Sequence, residues 1–345
     1  MQFQIDAEKL VEIKNKIKRV VLNSSIVKKT IYLKVINDKL IMYAYSEGNY
    51  GEAHIPCMVK QDGFVELLDK SLDIFDFITG VASFELSGNQ LIYYSPMAHG
   101  GINIVSDKPD FTERTVPAEW IALPKPSLNI LYCITKDDNN LCNVFFMDDK
   151  MGTTAQVAFA GYKHPEVLVT TPFTVPMSFF DLIPGDVEIA FDAKRIWFKS
   201  GDFYVCAQTI DYTNPLVNEY SYYEFDTHDV SFFEITVDEA KRLCGYANAV
   251  SEGRVVALVL KNNALTIIPS GSELGVGTMA ISCIASSGEM NFGASVRLLS
   301  NAFANVDGNS CKVYNPEPQG SSVLVIDGQM TRHMIMEIPN ARMIL

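Results

Sequence analysis

The feature that most constrains this chain is a turn signal that recurs six times between pairs of apolar runs. Asn, Asp or Gly residues interrupt apolar stretches at positions 35–41, 86–92, 137–141, 191–196, 260–265 and 306–310. These residue types tolerate the positive φ that a tight hairpin turn requires. The pattern therefore predicts six β-hairpins. Taken in pairs, the hairpins recur at a period of about 115 residues, which indicates three repeated units.

Amphipathic segments accompany the hairpins in every predicted unit. Apolar residues occupy one helical face in segments 7–21 and 66–78 of the first unit, and in segments 237–250 and 294–306 of the third. The middle unit has shorter segments, 126–132 and 176–183. Unit boundaries near Thr115 and Ser231 follow, which gives units 1–114, 115–231 and 232–345. We expect an α+β fold in which each unit packs two helices on antiparallel sheet.

The composition is sufficient for three well-packed units. Among 345 residues, 48% are hydrophobic and 20% are charged, so each unit can bury its own core. The chain shows neither a signal-peptide pattern nor an apolar run near the ~20 residues of a membrane span, so a cytoplasmic location without membrane contact is expected. The seven cysteines are scattered without a C-x-x-C spacing, which predicts buried reduced thiols.

Motifs for catalysis or metal binding are missing from the sequence. The five histidines are isolated from one another, and neither a nucleophile elbow nor a phosphate-binding loop occurs. The acidic pairs Asp137–Asp138 and Asp148–Asp149 fit solvated turns better than a cation site. The expectation is a protein without enzymatic activity, cofactor or metal. A hydrolase that uses Cys133 or an aspartate pair is a minor alternative.

Four stretches resemble one family in the order in which that family carries them. They are the opening stretch 1–10, the stretch 209–220 with its Asp, Pro and final apolar positions, the stretch 289–293 before the last helix, and the end of the chain, 334–345. Together with the tripled units, they resemble the bacterial sliding clamp, the β subunit of DNA polymerase III. The middle unit departs from the family pattern near 147–151. This departure suggests a divergent, virus-encoded member of the family.

The resemblance implies that two chains form a ring as a homodimer, with helices lining a hole that holds double-stranded DNA without sequence preference. A net charge of −13 still allows a local basic strip inside such a ring. The candidate DNA-binding residues are Lys18, Arg19, Lys28, Lys29, Lys241, Arg254 and Arg297. They are cations on or beside helices, and cations can contact phosphates without reading bases.

The resemblance also implies a groove that receives clamp-binding peptides of the DNA polymerase and the clamp loader. Carried over position by position, this groove comprises Met147, Pro215, Tyr220, Ile338, Pro339 and Met343. Apolar anchors in such a groove supply most of the binding energy. The alternative to a clamp is a β-rich structural or carbohydrate-binding virion protein, which could also repeat hairpins.

Overall fold

Short antiparallel strands are the main secondary-structure elements in the computed structural model. The structure describes residues 1–22, 29–46, 48–108, 112–130, 143–155, 158–182, 186–192, 195–211, 230–250, 254–270, 277–316 and 323–338. The chain divides into an amino-terminal unit, Met1–Leu123 with Ser178–Thr209, and a carboxy-terminal unit, Pro124–Met177 with Ile210–Leu345. Both units take strands from the middle third of the sequence. The predicted division at 1–114, 115–231 and 232–345 stays a prediction.

The strands are numbered in chain order. The first nine are β1 (Gln2–Asp6), β2 (Thr30–Ile36), β3 (Lys39–Ser46), β4 (Asn49–Pro56), β5 (Met58–Gln61), β6 (Gly63–Leu68), β7 (Val81–Ser87), β8 (Gln90–Tyr94) and β9 (His99–Asn103). The next nine are β10 (Ile121–Leu123), β11 (Asn143–Asp148), β12 (Lys150–Ala155), β13 (Ala158–Lys163), β14 (Val169–Pro176), β15 (Val187–Asp192), β16 (Arg195–Ser200), β17 (Phe203–Gln208) and β18 (Ile210–Asp211). The last nine are β19 (Phe232–Thr236), β20 (Val255–Lys261), β21 (Ala264–Pro269), β22 (Met279–Ser282), β23 (Ala285–Ser287), β24 (Met290–Ser295), β25 (Ser310–Tyr314), β26 (Val323–Asp327) and β27 (Thr331–Met336).

The helices of the described chain are few and short. The α-helices are α1 (Ala7–Leu22), α2 (Lys125–Asn129), α3 (Val237–Val250) and α4 (Val296–Asn305), and the 3₁₀ helices are η1 (Asp69–Phe77) and η2 (Met177–Leu182). Helix α1 buries Leu10, Ile17 and Val20 against β3 and β4. Burying each of these side chains contributes roughly 1.5–3 kcal/mol, which fixes the helix on one face of the sheet.

Four of the six predicted hairpins are confirmed. Asn37–Asp38 and Asn262–Asn263 have positive φ and connect β2 to β3 and β20 to β21. Gly88, with φ 59°, lies in the turn between β7 and β8. The register of β15 and β16 closes the hairpin at positions 191–196. The turn expected at 137–141 lies outside the described residues.

The hairpin expected at 306–310 is wrong. Val306 caps helix α4 by donating its amide to the Ala302 carbonyl at 2.9 Å, and the chain then enters β25 through Gly308, with φ 96°. The same Asp–Gly chemistry serves here as the exit from a helix, where a positive φ is equally useful. Local turn signals do not reveal which element precedes the turn.

The second helix of the first repeat is shorter than predicted. Glu66, Leu67 and Leu68 belong to β6 and pair with β2, so the helical part begins at Asp69 and is a 3₁₀ helix. Helix α4 likewise begins at Val296, because 294 and 295 belong to β24. Sheet pairing outweighs helix propensity at these junctions. Each predicted unit does contain two helical segments, although in the first and middle units one of them is 3₁₀.

The amino-terminal unit contains two sheets. One has the order β5-β1-β7-β8-β9, and the other has the order β10-β15-β16-β17-β4-β3-β2-β6. In the second sheet, β17 pairs antiparallel with β4, with Cys206 opposite Tyr50. This pairing joins strands of the first repeat to strands of the middle one in a continuous sheet.

The carboxy-terminal unit repeats this design. Its larger sheet has the order β18-β14-β11-β12-β13-β27-β26-β25-β19-β23, and its smaller sheet the order β22-β21-β20-β24. Strand β13 pairs antiparallel with β27, with Phe159 opposite Met334. Helices α3 and α4 pack together over a core that includes Leu243, Phe292 and Phe303.

Candidate functional site

The helix α1 carries cations, but two of them already have acidic partners. Lys14 is buried and pairs with Asp76, and the Lys18 Nζ atom lies 2.5 Å from a carboxylate oxygen of Asp73. Both aspartates lie on η1. Arg19 is exposed and forms no ion pair with another residue in the described part of the chain. Of the predicted pair Lys18 and Arg19, Arg19 is the cation available to an anionic ligand.

Helices α3 and α4 present a polar face of a different kind. Lys241 on α3 and Arg297 on α4 are exposed and have no acidic partner among the described residues. The Asn248 amide donates to the Ser300 hydroxyl at 3.0 Å, which links the two helices at this surface. Gly245 lies on the same exposed side, and no atom would contact a Cβ there. The face is therefore smooth and bears isolated positive charges.

The remaining predicted DNA contacts have less uniform surroundings. Arg254 is exposed, with φ 55°, immediately before β20. Lys29 is half-buried, and its carbonyl accepts the Asp69 amide at 3.0 Å. Lys28 lies outside the described residues. The structure thus leaves Arg19, Lys241, Arg254 and Arg297 as exposed cations near helices.

An apolar cluster occupies the face of the larger carboxy-terminal sheet that is opposite α3 and α4. It consists of Phe145, Phe159, Val323, Val325 and Met334, with Met147 and Tyr314 packed against it. The rings of Phe145 and Phe159 stack with centroids 5.9 Å apart. A Cβ on Gly152 would collide with the Phe145 ring, so only glycine lets this ring lie flat on the sheet. We call these seven residues the outer apolar cluster.

Two of the six predicted groove residues can be located. Met147 belongs to the outer apolar cluster. Ile338 is half-buried, and its amide donates to the Gly293 carbonyl on β24 at 2.9 Å, so it follows β27 away from that cluster. Pro215, Tyr220, Pro339 and Met343 lie outside the described residues. Met147 and Ile338 are not brought together within the described cluster.

In the amino-terminal unit, the corresponding face of the large sheet is covered. The segment Thr112 to Trp120, which we call the connecting segment, lies across it. Val116 and Trp120 pack against a cluster that includes Tyr50, Trp197 and Cys206. Lys34 pairs with Glu113 at 2.6 Å, and Lys199 lies over the Trp120 ring at 5.5 Å. These contacts attach the connecting segment to both halves of the sheet.

These aromatic sheet faces are not among the sites predicted from the sequence. Tyr43, Tyr45 and Tyr50 lie on the side of the sheet opposite α1, as their pairing and the contact of Gly51 with Val20 require. The period-2 spacing of Tyr43 and Tyr45 was the available signal, since alternate residues share one face of a strand. What the sequence could not supply was the segment that covers them.

No group of metal-ligating residues stands out among the described residues: no three His, Cys, Asp or Glu side chains are arranged to hold a metal ion. In the same part of the chain, Cys206, Cys244, Cys283 and Cys311 are buried free thiols, and Cys57 is half-buried. Burial raises the pKa of the Cys206 and Cys244 thiols to about 11, so they are poor nucleophiles at neutral pH. Cys133 lies outside the described residues. None of the described helices could span a membrane.

The architecture matches one class of solved structures, the sliding clamps of bacterial DNA polymerases. The Helicobacter pylori beta clamp bound to a DNA ligase peptide has a TM-score of 0.79 at 14% identity, covering 98% of this chain and 100% of that one. The DNA polymerase sliding clamp of Bacillus subtilis has a TM-score of 0.78 at 16% identity, covering 98% and 99%. The beta subunit from the DNA polymerase of Streptococcus pyogenes has a TM-score of 0.78 at 12% identity, covering 98% and 100%.

Neither a protein-family profile nor a curated protein sequence matches the chain. The resemblance found in the sequence is therefore confirmed as a likeness of fold over nearly the whole chain. At 12–16% identity, the likeness to these structures concerns the fold alone. Function still has to be argued from the surfaces.

Proposed function

We propose that this protein is a DNA sliding clamp, a non-catalytic processivity factor that encircles duplex DNA and tethers a DNA polymerase. The observation that carries the proposal is the match to sliding clamps across 98% of the chain. The function needs neither cofactor nor metal and belongs in the cytoplasm, where the DNA is. A viral source stays a prediction, because viral and cellular members would share one fold.

The way in which the sheets join within one chain supports the proposal of a closed ring. In each large sheet, a three-stranded meander ends in a strand that pairs with the last strand of another: β4 with β17, and β13 with β27. Two meanders, β7-β8-β9 and β20-β21-β22, end instead at a sheet edge among the described strands. We propose that β9 of one chain pairs antiparallel with β22 of a second chain. Two such junctions would close a homodimer of six repeats, divided at 1–114, 115–231 and 232–345.

The residues next to these two edges support an interface. Both edge strands are short and alternate one buried apolar residue, Ile102 or Ile281, with exposed neighbours. Met97, in the turn that leads into β9, and Ile284, which follows β22, both expose large apolar side chains. Exposed apolar groups beside open sheet edges are typical of surfaces that become buried on association.

DNA contact in the proposed ring relies on few cations. Arg19, Lys241, Arg254 and Arg297 are exposed, whereas Lys18 is paired with Asp73. Weak phosphate contacts suit a protein that has to move along DNA, because strong ones would hold it in place. Topological enclosure, not affinity, would keep it on the template. The helix faces, smooth at Gly245, are the proposed lining of the hole.

Polymerase and clamp-loader peptides are proposed to bind at the outer apolar cluster. Met147 belongs to this surface, and the predicted residues Pro215, Tyr220, Pro339 and Met343 would extend it. Ile338, which is bound to Gly293 on β24, would lie beside the groove and not in the cluster itself. Cores of apolar side chains with a polar rim provide most of the binding energy in peptide grooves. The bidentate ion pair between Arg332 and Asp327, with both N–O distances at 2.6 Å, lies on the same face.

The test of the proposed function needs no loader. The protein is mixed with linear duplex DNA, the ends are joined by ligase, and the product is washed in high salt, which removes electrostatic binding. We expect the protein to stay on the closed circle and to be lost when one restriction cut linearises it. Equal retention on circular and linear DNA would refute topological enclosure. A particle of about twice 38.4 kDa supports the dimer, whereas fibres or trimers would favour the virion alternative.

A further inference from the structure

The large sheet of the amino-terminal unit carries a counterpart of the outer apolar cluster. This counterpart lies opposite α1, as the outer apolar cluster lies opposite α3 and α4, and both centre on a strand junction. Cys206 is opposite Tyr50 at one junction, and Phe159 is opposite Met334 at the other. All four residues belong to the clusters of their own sheets. We call the buried residues of the first sheet the aromatic cluster; they are Tyr43, Tyr50, Ala190, Trp197 and Cys206.

The connecting segment contacts the aromatic cluster as a bound peptide would. Arg114, Val116, Pro117 and Trp120 are half-buried, whereas the residues at 115, 118 and 119 are exposed. Val116 and Trp120 pack against the aromatic cluster. Anchoring side chains separated by exposed positions are typical of a peptide that lies on a protein surface.

Two of these anchors make directional contacts. The Arg114 guanidinium lies 5.5 Å from the centroid of the Tyr50 ring, and its Nη1 atom donates to the Cys206 sulfur at 3.3 Å. A single side chain of the segment thus contacts both residues of the strand junction. At the other end, the Trp120 ring packs on the Tyr204 ring with centroids 5.9 Å apart. Arginine and tryptophan are the side chains that most often dominate binding at interfaces.

Side chains, and not strand pairing, attach the connecting segment to the sheet. The segment belongs to no strand, and in the described chain no backbone group of residues 112–120 is hydrogen-bonded to a backbone group of the sheet. The Trp120 indole N–H donates to the Pro117 carbonyl at 3.0 Å, which is a bond within the segment. The ion pair of Lys34 and Glu113 is partly exposed, and such pairs contribute little. The segment can therefore leave the cluster without breaking the sheet beneath it.

The covalent tether gives the connecting segment an advantage over any free peptide. Its carboxy-terminal end continues into β10, which pairs with β15 of the same sheet. A short tether of this kind produces an effective concentration in the millimolar range. A partner peptide at micromolar concentration would therefore find the aromatic cluster occupied. The contacts made in cis also define the chemistry that a competing segment needs.

We propose that the connecting segment is a tethered ligand, which closes a second peptide-binding face of this chain until a partner segment displaces it. The partner segment would carry an arginine, an apolar residue and a tryptophan at the spacing of Arg114, Val116 and Trp120. This closed face is additional to the outer apolar cluster, and its assignment as a peptide face rests on the proposed function of that cluster.

The binding test uses the full chain and a fluorescein-labelled peptide with the sequence of residues 112–120. In the double variant Arg114→Gln with Trp120→Ala, the tethered segment loses two anchors while the aromatic cluster is unchanged. Fluorescence anisotropy should show saturable binding to this variant, at least about tenfold tighter than to the wild-type chain. Glu119→Gln changes an exposed residue of the same segment and should behave as the wild type. A peptide with glutamine for its arginine and alanine for its tryptophan should bind the double variant at least about tenfold more weakly.

Thermal melting of each chain controls for folding. Arg114→Gln alone keeps Trp120 in place and should give an affinity between those of the wild type and the double variant. This single variant supplies the test if the double variant melts below the temperature of the assay.

The position of the bound peptide is measured at the Cys206 thiol, which is buried and contacts Arg114. Labelling of Cys206 by N-ethylmaleimide, mapped by mass spectrometry, should be at least about tenfold faster in the double variant, and the added peptide should slow it again. Burial raises the pKa of Cys206 to about 11, and the Arg114 guanidinium opposes that rise. Loss of Arg114 without exposure of the thiol would therefore slow the labelling.

Three results would each overturn the proposal: no saturable binding to a folded variant, equal affinity for the double variant and Glu119→Gln, or bound peptide that leaves Cys206 labelling unchanged. The experiment contains neither DNA nor a polymerase peptide. Its failure would therefore leave the proposed clamp function intact, and a failure of topological enclosure would not change its result.

Discussion

The Lys18 ammonium and the Asp73 carboxylate lie 2.5 Å apart and join helix α1 to η1. A second lysine on α1, Lys14, pairs with Asp76 one helical turn away. These aspartates neutralise one buried and one half-buried ammonium group of helix α1. The two ion pairs leave fewer unpaired cations on this helix than its lysine content suggests.

DNA affinity should therefore depend more on Arg19 than on Lys18. We expect Arg19→Gln to weaken duplex binding at low salt and to reduce the dependence of log K on log salt by about one. Lys18→Gln should change affinity little, and Asp73→Asn should strengthen binding by releasing Lys18. Anisotropy titrations over a salt series measure all three. Lys261→Gln, at an exposed hairpin turn, is the control; an Arg19 effect no larger than the control contradicts the assignment.

The outer apolar cluster should require glycine at position 152. An alanine there would push against the Phe145 ring and the Ala160 carbonyl, and overpacking of this kind costs about 1–3 kcal/mol. We expect Gly152→Ala to lower the melting midpoint and to weaken binding of a polymerase-derived clamp peptide. Deleting residues 339–345 should abolish that binding and leave the oligomeric state unchanged. Unchanged peptide affinity in both variants would show that the clamp peptide does not bind at the outer apolar cluster.

The sequence predicted local features well and tertiary ones poorly. Helix α3 spans Val237–Val250 as expected, because its periodicity and its start after a strand are both encoded locally. The junction of β17 with β4 was not foreseen, since Cys206 and Tyr50 are distant in sequence and no local signal links them. For the same reason, the pairing of Lys18 with Asp73 could not be read from either helix alone. Candidate cations were predictable as a set, and their acidic partners were not.

Acid should destabilise the carboxy-terminal unit through His333. This side chain on β27 is fully buried, and neither ring nitrogen reaches hydrogen-bonding geometry with a described residue. Burial lowers the pKa of His333 to about 4, and the Asn305 backbone and the Asp307 carboxylate offset only part of that effect. The unfolded chain, with an ordinary histidine pKa near 6.5, binds the proton more readily.

Because the unfolded state takes up this proton first, stability should fall as the pH drops from about 6.5 to about 4, by about 3 kcal/mol in total. Urea unfolding at several pH values measures the slope. His333→Leu, which cannot be protonated, should flatten the curve in this range, whereas His99→Leu, at an exposed position on β9, should not. A wild-type curve that is flat between these pH values contradicts the prediction.

Helix α3 should gain stability from a single methyl group. Gly245 lies mid-helix and exposed, with no atom near the position of a Cβ, so Gly245→Ala should stabilise the protein by about 0.5–1 kcal/mol. Gly51→Ala should instead destabilise the protein, because its Cβ would collide with the Val20 side chain of α1. Chemical unfolding compares the two variants. If Gly245→Ala does not raise the free energy of unfolding, the prediction from helix propensity is wrong at this position.

Ring closure makes the sharpest demand on residues beside β9 and β22. Met97 is 84% exposed and Ile284 is 57% exposed, so an aspartate at either position should leave the folded monomer intact. In a dimer joined at these edges, the same substitution would bury a carboxylate in an apolar contact, which is strongly unfavourable without a partner. We expect Met97→Asp and Ile284→Asp to shift the protein from dimer to monomer in sedimentation experiments.

Met58→Asp is the matched control. Met58 is 63% exposed and lies on β5, the edge strand opposite β9 in the same sheet. Because β5 takes no part in the proposed junction, this substitution should leave the dimer unaffected. Dissociation by Met58→Asp alone would place the interface at the wrong edge.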